Sequence, residues 1–192
     1  QALSKGLSAQ WSPSIERIHR SGLSHLDRLL GQGVSSGHVI EWSGAASCGK
    51  TGLLRAFIRS VRRRGVAVAW IDSRCTLMAT DWAEPMAGPL WVFRPPRPKD
   101  AFFCVEAALR AQSFGIVVLD GAPPAKRTLY LRLQKLARQG GAALVTLSTL
   151  DRAVPQAKKR IRIVSSGLGE DELVPRKGPL RWRIEAQDLR DP

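Results

Sequence analysis

Cysteine is scarce in this sequence, and long apolar runs are missing. The 192 residues include three cysteines, Cys48, Cys75 and Cys104, with no C-x-x-C pair and no Cys/His ligand spacing. An odd, widely spaced set predicts neither a disulfide framework nor a zinc site, and it is typical of a reducing compartment. The longest apolar runs, 66–71 and 142–147, are far below the roughly 20 residues of a membrane-spanning helix. We therefore expect a cytoplasmic protein with no membrane partner.

The sequence also lacks a signal-peptide pattern and internal repeats. It begins at Gln1 rather than Met, which is compatible with a chain shortened at its ends. Its 192 residues are the length of one domain, and an apolar content of 44% is enough to bury a core. We expect an accessory tail over 1–18, a core domain over 19–187 and a short tail over 188–192.

Acidic residues are few. The chain has 16 Asp and Glu against 30 Lys and Arg, which gives a formal net charge of +14. Such a charge favours a polyanionic partner, with nucleic acid first and an acidic protein surface second. The competing interpretation is an arginine-rich protein whose charges are simply solvated. The basic residues that we expect to form a partner-binding surface are Arg62, Arg63, Arg64, Arg94, Arg97, Lys126, Arg127, Arg132, Lys135, Arg138, Lys158, Lys159 and Arg160.

Apolar periodicity alternates between strands and helices along the chain. Continuous apolar runs predict strands over 38–42, 66–72, 90–93, 115–120 and 142–147. Helical spacing predicts helices over 21–30, 51–64, 81–86, 100–112 and 123–139, with Asp100 as an N-cap. Segments 158–165 and 180–185 read as antiparallel edge strands. This order predicts an α/β fold with three layers, in which helices cover both faces of a mainly parallel sheet.

One stretch matches a phosphate-binding pattern in full. Residues 44–51 fit G-x-x-x-x-G-K-[ST], between a predicted strand and a predicted helix. Backbone N–H groups at the start of a helix, together with the helix dipole, attract phosphate. A glycine-rich turn without a ligand is the alternative interpretation. The candidate nucleotide-binding residues of this stretch are Gly44, Ser47, Cys48, Gly49, Lys50 and Thr51.

Three pieces of the sequence resemble the RecA family of recombinase ATPases. They are the lead-in segment 21–33 (SGLSHLDRLLGQG) followed by Gly37, the phosphate loop at the family's spacing, and the strand ends 70–73 (WIDS) and 117–120 (VVLD). The resemblance implies that ATP with Mg²⁺ is the cofactor and that Lys50 reaches the terminal phosphates. It also implies that Thr51 and Asp120 hold the metal, which arrives only with the nucleotide.

The catalytic position departs from that family. Arg74 stands where RecA-like ATPases carry a glutamate that activates water, and an arginine cannot accept a proton. Because a positioned base contributes about 10²–10⁴-fold, we expect little or no ATP hydrolysis and assign no catalytic residue. Asp72, two residues earlier on a strand, is a possible substitute. A glutamine that links the γ-phosphate to DNA is also missing, since Ser148 and Thr149 occupy its place.

The loops that would handle DNA are short, at 121–125 and 150–156. Small, basic proteins with these deficits resemble the ImuA family, which acts in the bacterial SOS response. That resemblance implies RecA, an error-prone replicative-type polymerase and its Y-family-like partner as binding partners, a role in translesion mutagenesis, and a cytoplasmic, nucleoid-associated location. DNA could bind directly through the basic surface. An active DNA-dependent RecA-type ATPase is the alternative, whereas the lead-in segment argues against a metabolite kinase.

Overall fold

A computed structural model describes residues 17–82, 84–149, 154, 157–165 and 182–188. Within them the chain forms four α-helices and nine strands. The strands are β1 (Ile18–His19), β2 (Val34–Ser35), β3 (Val39–Ser43), β4 (Val68–Asp72), β5 (Leu90–Phe93), β6 (Ile116–Asp120), β7 (Ala143–Ser148), β8 (Lys159–Ser165) and β9 (Trp182–Asp188). The helices are α1 (Ser24–Leu29), α2 (Lys50–Arg63), α3 (Ala101–Arg110) and α4 (Arg127–Gly140).

Seven of these strands form one sheet in the order β5-β4-β6-β7-β3-β8-β9. All neighbouring pairs run parallel except β8 and β9, which are antiparallel at the end of the sheet. The predicted α/β class and the antiparallel pair are confirmed. The sequence did not reveal that β8 pairs with β3 in parallel, so that β9 alone reverses direction.

Apolar cores lie on both faces of the sheet, as three layers require. On one face α2 places Leu54, Phe57 and Ile58 against Trp42 and Trp70, all of them fully buried. On the other face α3 and α4 pack against the opposite side chains of the same strands. Full burial of one such side chain stabilises the fold by about 1.5–3 kcal/mol. The central strands are buried on both faces, which explains their continuous apolar sequence.

Three local predictions are wrong. Helix α4 begins at Arg127 rather than at Pro123 or Pro124, because the backbone is still extended at Lys126, with a φ of −72° and a ψ of 152°. A single 3₁₀ turn over Ala79–Trp82 replaces the helix predicted for 81–86. Asp100 precedes α3 but does not cap it, because its carboxylate accepts two hydrogen bonds from Arg97, at 2.8 and 3.2 Å.

The lead-in segment folds into a small unit, of which sequence periodicity predicted the helix α1 but not the strand pair around it. Strands β1 and β2 pair antiparallel on either side of α1, with Ile18 opposite Ser35. The Asp27 carboxylate accepts hydrogen bonds from the backbone N–H groups of Ser21 and Gly22, at 2.6 and 3.1 Å. Ile18 therefore belongs to this paired unit, and the predicted domain bounds of 19–187 stay a prediction. The tail over 1–16, most of loop 150–156 and residues 189–192 lie outside the described residues.

Candidate functional site

The candidate site lies where the parallel strands end. The carboxyl ends of β3, β4, β6 and β7 meet at one edge of the sheet, and α2 leaves β3 across one face while α4 leaves β6 across the other. Ligands of open α/β sheets bind at such a switch point. A cleft of about 300 Å³ opens here. Its polar lining includes Lys50, Arg74, Asp120, Tyr130, Ser148 and Thr149.

The phosphate loop is formed, and packing keeps it so. A Cβ atom at Gly44 would lie 2.4 Å from the Cys48 sulfur and 2.8 Å from the Ile163 carbonyl oxygen. Gly49 has a φ of +89°, in the left-handed region that glycine adopts freely, and Ser47 shares that region with a φ of +57°. Cys48 is buried in the core, so it acts as a small packing residue between the loop and the sheet.

The charged residue of the loop points back onto it. The Lys50 Nζ atom donates hydrogen bonds to the carbonyl oxygens of Gly44 and Ala45, both at 2.9 Å. Thr51 is exposed in the first turn of α2, where helix N–H groups face the loop. These features together fit a phosphate chain with its Mg²⁺: there is no room for a Cβ at Gly44, Lys50 lies over the loop, and Thr51 is exposed.

Asp120 lies at the end of β6 and borders the cleft. Burial is the largest influence on its carboxyl group, and the neighbouring Asp72 adds to it, which together raise the pKa of Asp120 to about 6. The positive charges of Arg74 and Lys50 act in the opposite direction. The surroundings of Asp120 therefore disfavour its charged form, and a divalent cation bound nearby would favour that form.

Asp72 has a different task. Its carboxylate is fully buried and accepts hydrogen bonds from the N–H groups of Thr76 and Leu77, both at 3.0 Å. The Arg94 Nε atom donates to it at 3.2 Å. Both oxygens are thus used to hold the turn after β4 and the end of β5. This geometry overturns the idea that Asp72 could replace the missing glutamate.

Arg74 lines the cleft from the turn that Asp72 holds. Its aliphatic carbons cross Gly121, where a Cβ would come within 2.6 Å of the Arg74 Cγ. The side chain is exposed, and its guanidinium forms no hydrogen bond or ion pair with any residue that the structure describes. A guanidinium cannot act as a base at neutral pH, but its planar fork suits phosphate oxygens.

A buried polar network lies beside the cleft and was missed in the sequence. Glu41 on β3 is fully buried, and it accepts hydrogen bonds from Ser148 Oγ at 2.5 Å and from Arg160 Nε at 2.8 Å. The only signal was an acidic residue inside a run that reads as a buried strand. Ser148, one of the two residues where the resemblance to RecA leads us to expect a glutamine, borders the cleft but donates its hydroxyl hydrogen bond to Glu41.

The predicted basic surface is not one patch. Arg62 is only 7% exposed and donates hydrogen bonds to the carbonyl oxygens of Gly88 and Trp82, at 2.9 and 3.5 Å, so its assignment to a partner surface is wrong. Burial also lowers the pKa of Arg62. The remaining candidates lie at both ends of the sheet. Arg94 follows β5 at the carboxyl edge, whereas Lys158 precedes β8 at the opposite edge.

Most of these candidates already have a partner within the protein. The paired ones are Arg64 with Ser60 and Arg20, Arg94 with Asp72, Arg97 with Asp100, Arg132 with Glu106, Arg138 with Gly37, Lys158 with His38, Lys159 with Leu30, and Arg160 with Glu41. Arg63 at the end of α2, Lys126 just before α4, and Arg127 and Lys135 on α4 are exposed. Their exposure leaves these four side chains within reach of a polyanion, and Arg127 also has an interaction within the protein.

Trp82 is a core residue. It is 8% exposed, its ring centroid lies 4.9 Å from that of Trp70, and the Arg55 guanidinium lies over it at 5.7 Å.

Within the described part of the chain, no helix combines the length and the apolar composition needed to cross a bilayer.

Comparison with known proteins relates the chain to RecA. It is 34% identical over 103 residues to the RecA protein of Gloeothece citriformis, which covers 52% of this chain and 29% of that protein. It is 30% identical over 104 residues to a plasmid-borne RecA of Lactococcus lactis, covering 52% and 30%, and 31% identical over 99 residues to the RecA of Treponema pallidum, covering 50% and 24%.

No protein-family model matches the chain. The matched segments amount to less than a third of the length of these three RecA proteins. The narrower ImuA assignment therefore stays a prediction. The similarity to RecA proteins covers about half of the chain. A formed phosphate loop at the carboxyl ends of a mainly parallel sheet agrees with this RecA-like relationship.

Proposed function

We propose that this is a RecA-like accessory protein of the bacterial DNA-damage response, which binds nucleotide but hydrolyses little or none of it. It would act by binding RecA, error-prone polymerase subunits, or both, and so regulate recombination and translesion synthesis. One observation carries the proposal: a formed phosphate loop stands beside a cleft lined by Arg74, the residue found where the resemblance to RecA leads us to expect a catalytic base.

Nucleotide binding is supported by the residues around the loop. The N–H groups at the start of α2, Lys50 and the exposed Thr51 hydroxyl would hold the phosphates and Mg²⁺, with Asp120 on the metal or its water shell. When bound, Mg²⁺ would supply positive charge that offsets the charge of the phosphates, and Thr51 and Asp120 would hold it. The chain's own residues would orient the phosphates at the sheet edge.

Slow hydrolysis is supported by what the acidic residues near the cleft do. The Asp72 carboxylate accepts hydrogen bonds from the turn after β4, and the Glu41 carboxylate accepts them from Ser148 and Arg160. Among the described residues that line the cleft, Asp120 is the one carboxylate, and it is the expected metal ligand. A bound water at the terminal phosphate would therefore lack a base.

Protein binding is supported by the outer edge of the sheet. Within the described residues β5 pairs on one side alone, with β4, and it exposes Trp91 and Val92 by 55% and 39%. An unpaired edge carrying exposed apolar side chains is suited to accept a strand from another protein. The net charge of +14 would favour an acidic partner segment.

The test is capture of purified RecA by the immobilised protein, together with RecA-catalysed strand exchange in its presence. We expect capture and a change in exchange rate. Trp91→Asp should weaken capture at least tenfold, because buried tryptophans are frequent hot spots of interfaces. Leu131→Asp, which alters an exposed leucine on α4, is the matched control and should leave capture unchanged. No capture of RecA or of polymerase subunits, with unaltered exchange and mutagenesis, would refute the proposal.

An active DNA-dependent ATPase is the second candidate, and the complete phosphate loop favours it. It predicts DNA-stimulated ATP turnover that is lost in Lys50→Ala. The two candidates differ in this one measurement, since the accessory protein would show a turnover near background with or without DNA.

A further inference from the structure

Three charged side chains line the cleft together: Lys50, Arg74 and Asp120. Asp120 ends the central strand β6, and the Arg74 side chain crosses Gly121, the residue that follows Asp120. Because Lys50 borders the same cleft, a group bound there can contact all three side chains. An arginine at this place adds a second cation to a site that already has Lys50 and the N–H groups of α2.

The Arg74 side chain occupies a space that exists because residue 121 is a glycine. Its Cγ and Cδ atoms lie over Gly121, and a Cβ there would meet them at 2.6 and 2.9 Å. Gly121 has a φ of +75°, so the backbone beneath the arginine adopts a conformation that favours glycine. On the other side, Asp72 fixes the turn that carries Arg74 through its bonds to Thr76 and Leu77.

Two other arginines of the sheet, one after β5 and one within β8, have protein partners. Arg94 pairs with Asp72, and Arg160 pairs with Glu41. The Arg74 guanidinium has no such partner among the described residues and borders a cleft of about 300 Å³. Its donors are therefore available to a ligand that enters the cleft.

We propose that Arg74 binds the terminal phosphate of a nucleoside triphosphate, so that the site selects the triphosphate over the diphosphate and retains it unhydrolysed. This rests on the nucleotide binding in the proposed function and names the ligand that the site distinguishes. A guanidinium can donate two hydrogen bonds to one phosphate group, and Lys50 can approach the same group from the phosphate loop. A diphosphate lacks the group that Arg74 would contact.

The test is the affinity for MgATP and for MgADP, measured by titration calorimetry with the full chain. We expect the wild-type protein to bind MgATP more tightly. Arg74→Ala should weaken MgATP binding about tenfold to a hundredfold and change MgADP binding less than about twofold, as loss of a charge-assisted contact to one phosphate predicts. Arg74 is exposed, so its removal should leave the fold intact.

Two further variants separate a specific contact from a general charge effect. Arg63→Ala removes an exposed arginine near the far end of α2 and should alter neither affinity. Arg74→Lys keeps the charge without the fork, and should retain part of the preference for MgATP. An equal loss of MgATP and MgADP affinity in Arg74→Ala, or no preference in the wild type, would overturn the inference. Capture of RecA is a separate measurement, so the accessory role could survive that result.

Discussion

Two loops at the same edge of the sheet differ in what holds their residues in place. The phosphate loop is constrained by packing, because a Cβ atom at Gly44 would collide with the Cys48 sulfur and the carbonyl oxygen of Ile163. The turn after β4 is held from beneath by the Asp72 carboxylate, while Arg74 above it is exposed. An intact phosphate-loop sequence can therefore be required by the fold alone. The residue at position 74 carries no such requirement, and it is the better indicator of what the cleft does.

The largest expected effect tests the packing of the phosphate loop. Gly44→Ala should lower the free energy of unfolding by about 2–3 kcal/mol, because the new Cβ would stand 2.4 Å from the Cys48 sulfur and 2.8 Å from a backbone oxygen. Gly52→Ala is the matched control in α2, where nothing lies within 4 Å. It should leave stability unchanged or raise it by up to about 1 kcal/mol. Urea denaturation measures both, and equal effects would contradict the packing argument.

A smaller effect concerns the carboxylate of Asp120, whose charged form is disfavoured by burial. The pKa of Asp120 is raised from 3.8 to about 6, so the folded protein binds more protons than the unfolded chain between these pH values. Stability due to this group is then present at low pH and is lost as pH rises from about 4 to about 6. Asp120→Asn should remove that loss and stabilise the protein at pH 7 by about 1–2 kcal/mol, after allowance for partial exposure.

Denaturation of Asp120→Asn and wild type across this pH range measures the effect. The gain should be present at pH 7 and shrink towards pH 4. Mg²⁺-dependent nucleotide binding should weaken in the same variant, since the amide lacks the charge that the metal favours. A variant that is less stable at pH 7, or that binds MgATP as tightly as wild type, would contradict the role assigned to Asp120.

The sequence predicted the parts of this picture that depend on local patterns. The parallel strands, the phosphate loop and the absence of a glutamate at position 74 all follow from short stretches of residues. The burial of Arg62 did not, because α2 packs against the chain around Gly88 as well as against the sheet. Its buried surface is therefore wider than its apolar stripe. The pairing of Glu41 with Ser148 and Arg160 joins residues more than 100 positions apart, which no local pattern can show.

The smallest expected effect asks whether position 74 alone separates the cleft from an active one. Arg74→Glu returns a carboxylate to the place of the expected base, and a positioned base contributes about 10²–10⁴-fold. We expect a gain in ATP turnover of only about tenfold, below that range, because Ser148 stays tied to Glu41 and cannot do the work of the family's glutamine. The carboxylate would also stand near Asp120 and favour protonation of one of the two acids.

Turnover should be measured by phosphate release with and without single-stranded DNA, with Arg74→Gln as the control that removes the positive charge without adding a base. A gain in Arg74→Glu that is missing from Arg74→Gln would show that the phosphate loop still presents ATP correctly. The phosphate loop would then have kept a geometry that supports hydrolysis, and the Arg74 side chain in the turn after β4 would account for the low turnover. Equal turnover in both variants would place the deficit elsewhere, in the residues around Ser148 or in the loops beyond them.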